Sequence, residues 1–187
     1  MVAGIVPKAG KSFISTNLAA AYALVGKKVL YIDADMRKCA CRFSRIGLTD
    51  VLMGKKTFEE AVYRGVEIEG LDILEAGNFK MVAFELLRGD MFKKLLDELR
   101  PKYDLIIIDT PPTGLVADAY MIYPLVDLTL IVLYYGLHSM DSIKEALQNL
   151  DRYGNKPKAF VLNHCDGHES RYGYYGYYGY YGEKSKN

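Results

Sequence analysis

The sequence contains few cysteines, no long hydrophobic run and almost no net charge. Its three cysteines, Cys39, Cys41 and Cys165, form no C-x-x-C pair and are odd in number, which indicates free thiols in a reducing cytosol. The longest apolar runs, such as 105–108 and 128–133, are far shorter than the ~20 residues of a membrane-spanning helix, and we expect no signal peptide. The net charge of +1 gives no reason to expect nucleic acid as a partner.

Short apolar strand patterns alternate with helical patterns along most of the chain. The predicted strands are 1–6, 28–33, 71–77, 103–112, 128–136 and 158–163, and the predicted helices are 11–25, 83–100 and 139–154. Near-continuous hydrophobic strands that alternate with helices are typical of a parallel sheet covered on both faces. We therefore predict a doubly wound α/β fold with a mostly parallel sheet and helices on both faces.

The two ends of the chain differ from an ordinary domain. The first predicted strand begins at Met1, so we expect the natural protein to be longer at its N-terminus. The last stretch, RYGYYGYYGYYGEKSKN at 171–187, has no periodic aliphatic pattern from which a core could form. Glycine between the tyrosines favours a flexible backbone. The predicted organisation is one domain at 1–170 followed by a tyrosine- and glycine-rich tail at 171–187.

A phosphate-binding loop is predicted between the first strand and the first helix. Gly-Lys-Ser that follows a strand and opens a helix is the core of a P-loop, whose backbone N–H groups point at phosphates. Lys11 adds a positive charge and the Ser12 hydroxyl suits Mg²⁺. The spacing is irregular, because Gly4 lies six residues before Gly10 and not five. The predicted nucleotide-binding residues of the loop are Pro7, Lys8, Ala9, Gly10, Lys11, Ser12 and Phe13.

Three aspartates follow predicted strands. Asp33 and Asp35 lie in YIDADMR, and Asp109 lies in IIIDTPP. In a parallel sheet these strand ends share an edge with the phosphate loop, where open α/β folds bind ligands. A single aspartate at such a place is more often a helix cap or a partner in a loop ion pair. Three of them beside Gly-Lys-Ser favour a site for Mg²⁺ and for orienting an attacking hydroxyl.

These motifs, in this order, resemble those of the bacterial tyrosine kinases of capsule and exopolysaccharide synthesis, the Wzc-type BY-kinases. PKAGKSFISTNLAA resembles the Walker A segment, YIDADMR the Walker A′ motif and IIIDTPP the Walker B motif. FVLN resembles the strand whose asparagine, here Asn163, contacts adenine. The tail resembles the autophosphorylation cluster of the family. The resemblance covers essentially the whole chain and implies a P-loop NTPase type of fold.

The resemblance implies an ATP-dependent protein-tyrosine kinase with Mg²⁺ as cofactor. The catalytic residues that it implies are Lys11, Asp33 and Asp35, with Asp33 as the acceptor of the tyrosine proton and Asp35 as its alternate. The Mg²⁺ ligands that it implies are Ser12, Asp33 and Asp109.

The resemblance also implies that the tail is the substrate, phosphorylated by a neighbouring copy of the chain, and that this controls polysaccharide polymerisation and export. The implied phosphoacceptors are Tyr172, Tyr174, Tyr175, Tyr177, Tyr178, Tyr180 and Tyr181. The implied partners are copies of the chain in an oligomer, a membrane-anchored polysaccharide co-polymerase segment upstream and a tyrosine phosphatase. The implied location is the cytoplasmic side of a bacterial inner membrane.

Other interpretations of the same residues remain open. A partitioning-type ATPase would carry a second lysine five positions before Lys11, where this chain has Val6 and where Lys8 is out of register. A regulatory module that binds nucleotide without kinase activity would be expected to lose a key aspartate. The tail alone would also suit an adhesive aromatic segment. A zinc site is not expected, because the spacing of the cysteines and histidines fits no standard pattern; the residues concerned are Cys39, Cys41, His164, Cys165 and His168.

Overall fold

A computed structural model describes residues 1–36, 43, 46–65, 68–77, 83–112 and 118–165. The tail at 171–187, with all seven of the predicted phosphoacceptor tyrosines, lies outside these described residues. Within the described ranges, no helix combines the length and the apolar character needed to cross a bilayer.

The described residues alternate between strands and helices over most of their length. The strands are β1 (Val2–Gly4), β2 (Val29–Asp33), β3 (Tyr63–Arg64), β4 (Leu71–Leu74), β5 (Leu105–Asp109), β6 (Thr129–Tyr134) and β7 (Lys158–Asn163). The α-helices are α1 (Lys11–Leu24), α2 (Leu48–Leu52), α3 (Phe58–Ala61), α4 (Ala83–Arg88), α5 (Asp90–Leu99), α6 (Asp118–Ile122) and α7 (Met140–Asp151). Short 3₁₀ helices follow α5 at Arg100–Lys102 and α6 at Tyr123–Leu125.

The strands of the described residues form a seven-stranded sheet in the order β3-β4-β2-β5-β1-β6-β7. Every neighbouring pair is parallel except β3 with β4, which is antiparallel. The chain therefore places β1 in the interior of the sheet and adds strands on both sides of it, as in a doubly wound sheet. The predicted fold class is confirmed.

Residues of each strand alternate between the two faces of the sheet, as its period of two requires. In β2, Val29 and Tyr31 pack with α1, while Leu30 and Ile32 pack with the helices of the opposite face. The side chains of α5 on that opposite face are fully or almost fully buried, and Phe92 and Leu99 expose none of their surface. Each large apolar side chain buried in this way contributes about 1.5–3 kcal/mol. Helices thus cover both faces and leave the carboxyl ends of the strands for a site.

Some predicted elements differ from the observed ones for local reasons. The predicted helix 83–100 is two helices, because Gly89 takes an extended conformation (φ −70°, ψ 161°) and begins a new helix as its N-cap. The predicted strand 1–6 ends at Gly4, before the turn that Pro7 enters. Helices α2, α3 and α6 and strand β3 were not predicted; all four contain five residues or fewer.

Met1, which directly precedes β1, is already hydrogen-bonded to the β6 side of the sheet. The amino group of Met1 donates a hydrogen bond to the carbonyl oxygen of Leu128 at 2.7 Å, and the Met1 carbonyl accepts one from Leu130 N–H at 2.8 Å. Burial lowers the pKa of this amino group from 8.0 to about 6, and the charge of Asp127 opposes the shift only in part. The neutral amine is therefore the form that suits this place.

In a chain that begins at Met1, we expect the free energy of unfolding to rise between pH 6 and pH 8. The folded-state pKa of about 6 lies below the ordinary value of 8.0, so the unfolded chain binds more protons in this window. The expected rise in this window is about 2 kcal/mol. Denaturant unfolding at pH 6, 7 and 8 measures it. Acetylation of the amino group is the control and should remove the rise; an equal rise after acetylation would contradict the assignment.

Candidate active site

Gly10 sits at the junction of the phosphate loop and α1, in a conformation that demands glycine. Its φ is +95°, in the left-handed region, and it is the N-cap of the helix. A Cβ atom at this position would lie 2.0 Å from Nδ2 of Asn163. Both the backbone conformation and the contact therefore exclude a side chain here. The loop closes against the end of β7 because of this glycine.

Lys11 begins α1 and is buried, with only 4% of its surface exposed. Its stem runs beside Gly4, since a Cβ atom added at Gly4 would lie 3.1 Å from both Cγ and Cδ of Lys11. The absence of a side chain at Gly4 thus leaves space for the aliphatic stem of Lys11. Ser12 and Phe13, the next two residues, are exposed. The predicted loop residues are brought together around one helix N-terminus, which favours negatively charged groups.

Asn163, the last residue of β7, contacts the phosphate loop directly. Its Nδ2 atom donates a hydrogen bond to the carbonyl oxygen of Ala9 at 2.9 Å. Ala9 is completely buried. The structure therefore places Asn163 beside the predicted nucleotide site, and its predicted contact with adenine stays a prediction.

Asp33 and Asp109 lie opposite each other at the carboxyl edge of the sheet. They are the last residues of β2 and β5 and form a register pair in that parallel ladder. Asp109 is buried, with 1% of its surface exposed, whereas Asp33 is half-buried. Oδ1 of Asp33 accepts a hydrogen bond from the N–H of Asp35 at 2.9 Å, and Asp35 itself is 4% exposed. Of the two A′ aspartates, Asp33 is the more accessible.

Tyr31 supports Asp109 from inside the sheet. The Tyr31 hydroxyl donates a hydrogen bond to Oδ2 of Asp109 at 3.3 Å. Burial raises the pKa of the Tyr31 phenol far above its ordinary value, and the charges of Asp109 and Asp33 raise it further. The phenol therefore stays protonated and acts as a permanent donor to the carboxylate. Sequence reasoning missed this residue because a tyrosine in an apolar run reads as core.

The donor set at this edge fits Mg²⁺. Carboxylates from adjacent strands and a hydroxyl at the start of α1 are oxygen ligands, which Mg²⁺ prefers. Among the described residues, no group of three or more His, Cys, Asp or Glu is arranged to hold a metal ion. One or two carboxylates are nevertheless the usual protein share for Mg²⁺, which keeps several waters and binds substrate phosphates. The predicted ligands Ser12, Asp33 and Asp109 suit that partial coordination.

Two buried acidic residues were not among the predicted site residues. Glu75 directly follows β4 and is 6% exposed; both of its carboxylate oxygens accept from Phe43 N–H, at 3.2 and 3.1 Å. The reasoning applied to Asp33 and Asp109 could have identified it, since it also ends an apolar strand. Asp118 begins α6 and is completely buried.

The cysteines and histidines for which no zinc site is expected are only partly described. Cys165 is exposed, and His164 lies at the phosphate loop, while Cys39, Cys41 and His168 lie outside the described residues.

Comparison with known proteins identifies relatives over most of the chain. A model of the AAA domain family matches residues 8–160. The tyrosine-protein kinase ptk of Acinetobacter johnsonii is 36% identical over 178 residues, which are 92% of this chain and 24% of that protein. The chain spans about a quarter of the length of the curated relatives that it matches.

Solved structures of kinase domains share the fold. The kinase domain of Escherichia coli tyrosine kinase ETK has a TM-score of 0.82 at 33% identity, covering 87% of this chain and 66% of that chain. The VpsO kinase domain has a TM-score of 0.80 at 36% identity, covering 87% of this chain and 82% of that chain. These matches confirm the P-loop NTPase type of fold.

We expect Tyr31→Phe to weaken Mg²⁺-dependent nucleotide binding, because Asp109 loses a buried donor. The free energy of unfolding should fall by about 1–2 kcal/mol. Tyr103→Phe is the matched control, since its hydroxyl donates to the buried Asp72 at 2.6 Å. That pair lies at the amino ends of β4 and β5, whereas Asp33 and Asp109 lie at the carboxyl ends of their strands. Calorimetric titration should show weaker binding only for Tyr31→Phe; equal affinities in both variants would refute the supporting role.

Proposed function

Because this chain belongs to the family of bacterial tyrosine-kinase domains, we propose that it transfers the γ-phosphoryl group of ATP to tyrosine. One observation supports this most strongly. The buried Lys11 at the N-terminus of α1 shares the carboxyl edge of the sheet with the register pair Asp33 and Asp109. A cationic phosphate loop beside two carboxylates is the combination that phosphoryl transfer requires.

The phosphate loop supplies binding and charge stabilisation in this proposal. Backbone N–H groups of residues 8–13 and the Lys11 ammonium would hold the phosphates. Ser12, Asp33 and Asp109 would hold Mg²⁺. The bound ion would offset negative charge on the phosphates and orient them. Catalysis of this type depends mainly on positioning and electrostatics.

Asp33 is the proposed general base. The phenolic oxygen of the substrate forms a bond to the γ-phosphorus, and the bond from that phosphorus to its bridging oxygen breaks, so that ADP leaves with the electron pair. The phenolic proton passes to the carboxylate of Asp33. A phenol with a pKa of ~10 is almost wholly protonated at neutral pH, so a positioned carboxylate assists its attack. The half-buried Asp33 is favoured over Asp35, which exposes only 4% of its surface.

The proposed substrate is the tail of a neighbouring copy. Its seven tyrosines between Tyr172 and Tyr181, one single and three adjacent pairs, are interrupted only by glycines, which we propose let each phenol reach an active site in turn. We propose that the domain works on the cytoplasmic side of a bacterial inner membrane, linked to a polysaccharide co-polymerase segment. Phosphorylation would regulate polysaccharide polymerisation and export, and a tyrosine phosphatase would reverse it. The sequence motifs of the Wzc-type kinases support this wider role.

Incubation with Mg²⁺ and ATP should produce phosphotyrosine within residues 172–181. Lys11→Met should abolish the labelling and strongly weaken ATP binding, because it removes the cation at the helix N-terminus. Asp33→Asn should keep most of the ATP affinity but reduce transfer by about 100-fold or more, as expected for loss of a general base. Phosphopeptide mapping and calorimetry measure the two effects separately.

The same experiment distinguishes the alternative. A chain that binds ATP but never labels its tail, even when it is joined to the proposed co-polymerase segment, would be a nucleotide-binding regulatory module. Transfer by Asp33→Asn at the wild-type rate would remove Asp33 from the base role and leave Asp35 as the candidate.

The tail should be phosphorylated between chains. A Lys11→Met chain with an intact tail is mixed with an active chain that lacks 171–187. Phosphate should appear on the inactive chain, because we propose that the glycine-rich tail enters a neighbour's site more readily than it folds back into its own site with the in-line geometry that transfer needs. Each phosphate adds about −1.5 to −2 charges. Phosphorylated tails should therefore repel one another and the aspartates of the neighbouring site, and sedimentation of the full-length protein should then show smaller species. No transfer between chains, with self-labelling independent of concentration, would establish a reaction within one chain.

A further inference from the structure

Two consecutive side chains at the end of β7 bind two consecutive carbonyl groups of the phosphate loop. Asn163 Nδ2 donates to the carbonyl oxygen of Ala9 at 2.9 Å, and His164 Nε2 lies 3.2 Å from the carbonyl oxygen of Lys8. A carbonyl oxygen can only accept, so Nε2 carries the hydrogen in this contact. The loop is therefore attached to the sheet at a point two strands away from β1.

The His164 ring is held in place from β6. It stacks on Tyr134, with ring centroids 4.0 Å apart and planes inclined by 14°. Tyr134 and Asn163 are register partners in the β6–β7 ladder, so the same strand pair supports both contacts.

Both ends of the His164–Lys8 contact have unusual backbones. His164 has φ +57° and Lys8 has φ +60°, which place two residues other than glycine in the left-handed region. Such conformations are unfavourable for residues other than glycine and persist where surrounding contacts enforce them. Here the enforced conformation turns the Lys8 and Ala9 carbonyls toward the end of β7.

The direction of the carbonyls sets the direction of the amides. In a trans peptide the C=O of one residue and the N–H of the next point to opposite sides, and the described residues contain no cis peptide bond. Holding the carbonyls of Lys8 and Ala9 toward β7 therefore turns the N–H groups of Ala9 and Gly10 away from it. The strand order puts Asp33 and Asp109 on that far side of β1.

We propose that Asn163 and His164 are positioning residues, which orient the amides of Ala9 and Gly10 toward the phosphates of the bound nucleotide. This inference rests on the proposed nucleotide site. It assigns Asn163 a role that acts through the loop and on the phosphate groups, whichever base the nucleotide carries. A role in recognising adenine would instead depend on the base.

Inorganic tripolyphosphate separates the two roles, because it carries phosphates and no base. Calorimetry with Mg²⁺ present gives the dissociation constants of ATP and of tripolyphosphate for each variant. Asn163→Ala removes one donor. His164→Phe keeps a ring that can stack on Tyr134 but removes the other donor. Leu162→Ala is the matched control, since this β7 side chain is 54% exposed and its removal leaves both donors in place.

We expect Asn163→Ala and His164→Phe each to raise the dissociation constants of ATP and of tripolyphosphate by a similar factor. This factor should be about threefold to tenfold, as loss of one hydrogen bond implies. Leu162→Ala should bind both ligands like the wild type. A loss confined to ATP in Asn163→Ala would show base recognition and overturn the proposal. Wild-type affinity for both ligands in the two variants would also overturn it.

Amide NMR gives a second readout that general destabilisation does not produce. Tripolyphosphate should shift the Ala9 and Gly10 amide signals strongly in the wild type and only weakly in the two variants, while amides of β3, the edge strand farthest from β7, keep their positions. Equal shifts of Ala9 and Gly10 in all proteins would refute the orienting role. A wild-type chain that binds neither ligand would overturn the nucleotide site itself, and this assignment with it.

Discussion

The parallel, in-register pairing of β2 with β5 is the constraint on which the site depends. It sets the last residues of these strands, Asp33 and Asp109, directly opposite each other. Side chains alternate between faces along a strand, so a slip of one residue would turn one carboxylate to the other face. The apolar residues before them prevent that slip, because Leu30 and Ile32 would leave the core they share with Ile108. Hydrophobic packing thus determines where the charges lie.

Burial of Asp109 is offset by hydrogen bonds that also join the strands at this edge. The Tyr31 hydroxyl donates to the carboxylate of Asp109, and the main-chain oxygen of Asp109 accepts from Ala34 N–H at 2.9 Å. The next residue, Thr110, donates from both Oγ1 and its N–H to the carbonyl of Val2, at 2.9 and 3.2 Å. Because an unsatisfied buried carboxylate is costly, the Tyr31 hydroxyl stabilises the Asp109 side chain, while the other three hydrogen bonds hold the ends of β1, β2 and β5 together.

Local patterns predicted the parts of the molecule that depend on neighbouring residues. Strand β7 was predicted at its observed bounds, and the strand-end position of Asp109 follows from the apolar run before it. The contact of Tyr31 with Asp109 joins residues 78 positions apart, and that of Asn163 with Ala9 joins residues 154 apart. No local pattern indicates such contacts, since they arise only when the sheet order is formed. The break at Gly89 was missed because the helical periodicity continues across it.

The close approach at Gly10 has a consequence for how this sequence can vary. The space that a Cβ would need at Gly10 is occupied by the amide of Asn163, so neither position can change alone without disturbing the other. A side chain at position 10 would require a smaller residue at position 163 and a backbone that leaves the left-handed region. Substitutions at these two positions, which lie far apart in the sequence but in contact in the fold, should therefore co-vary among related sequences.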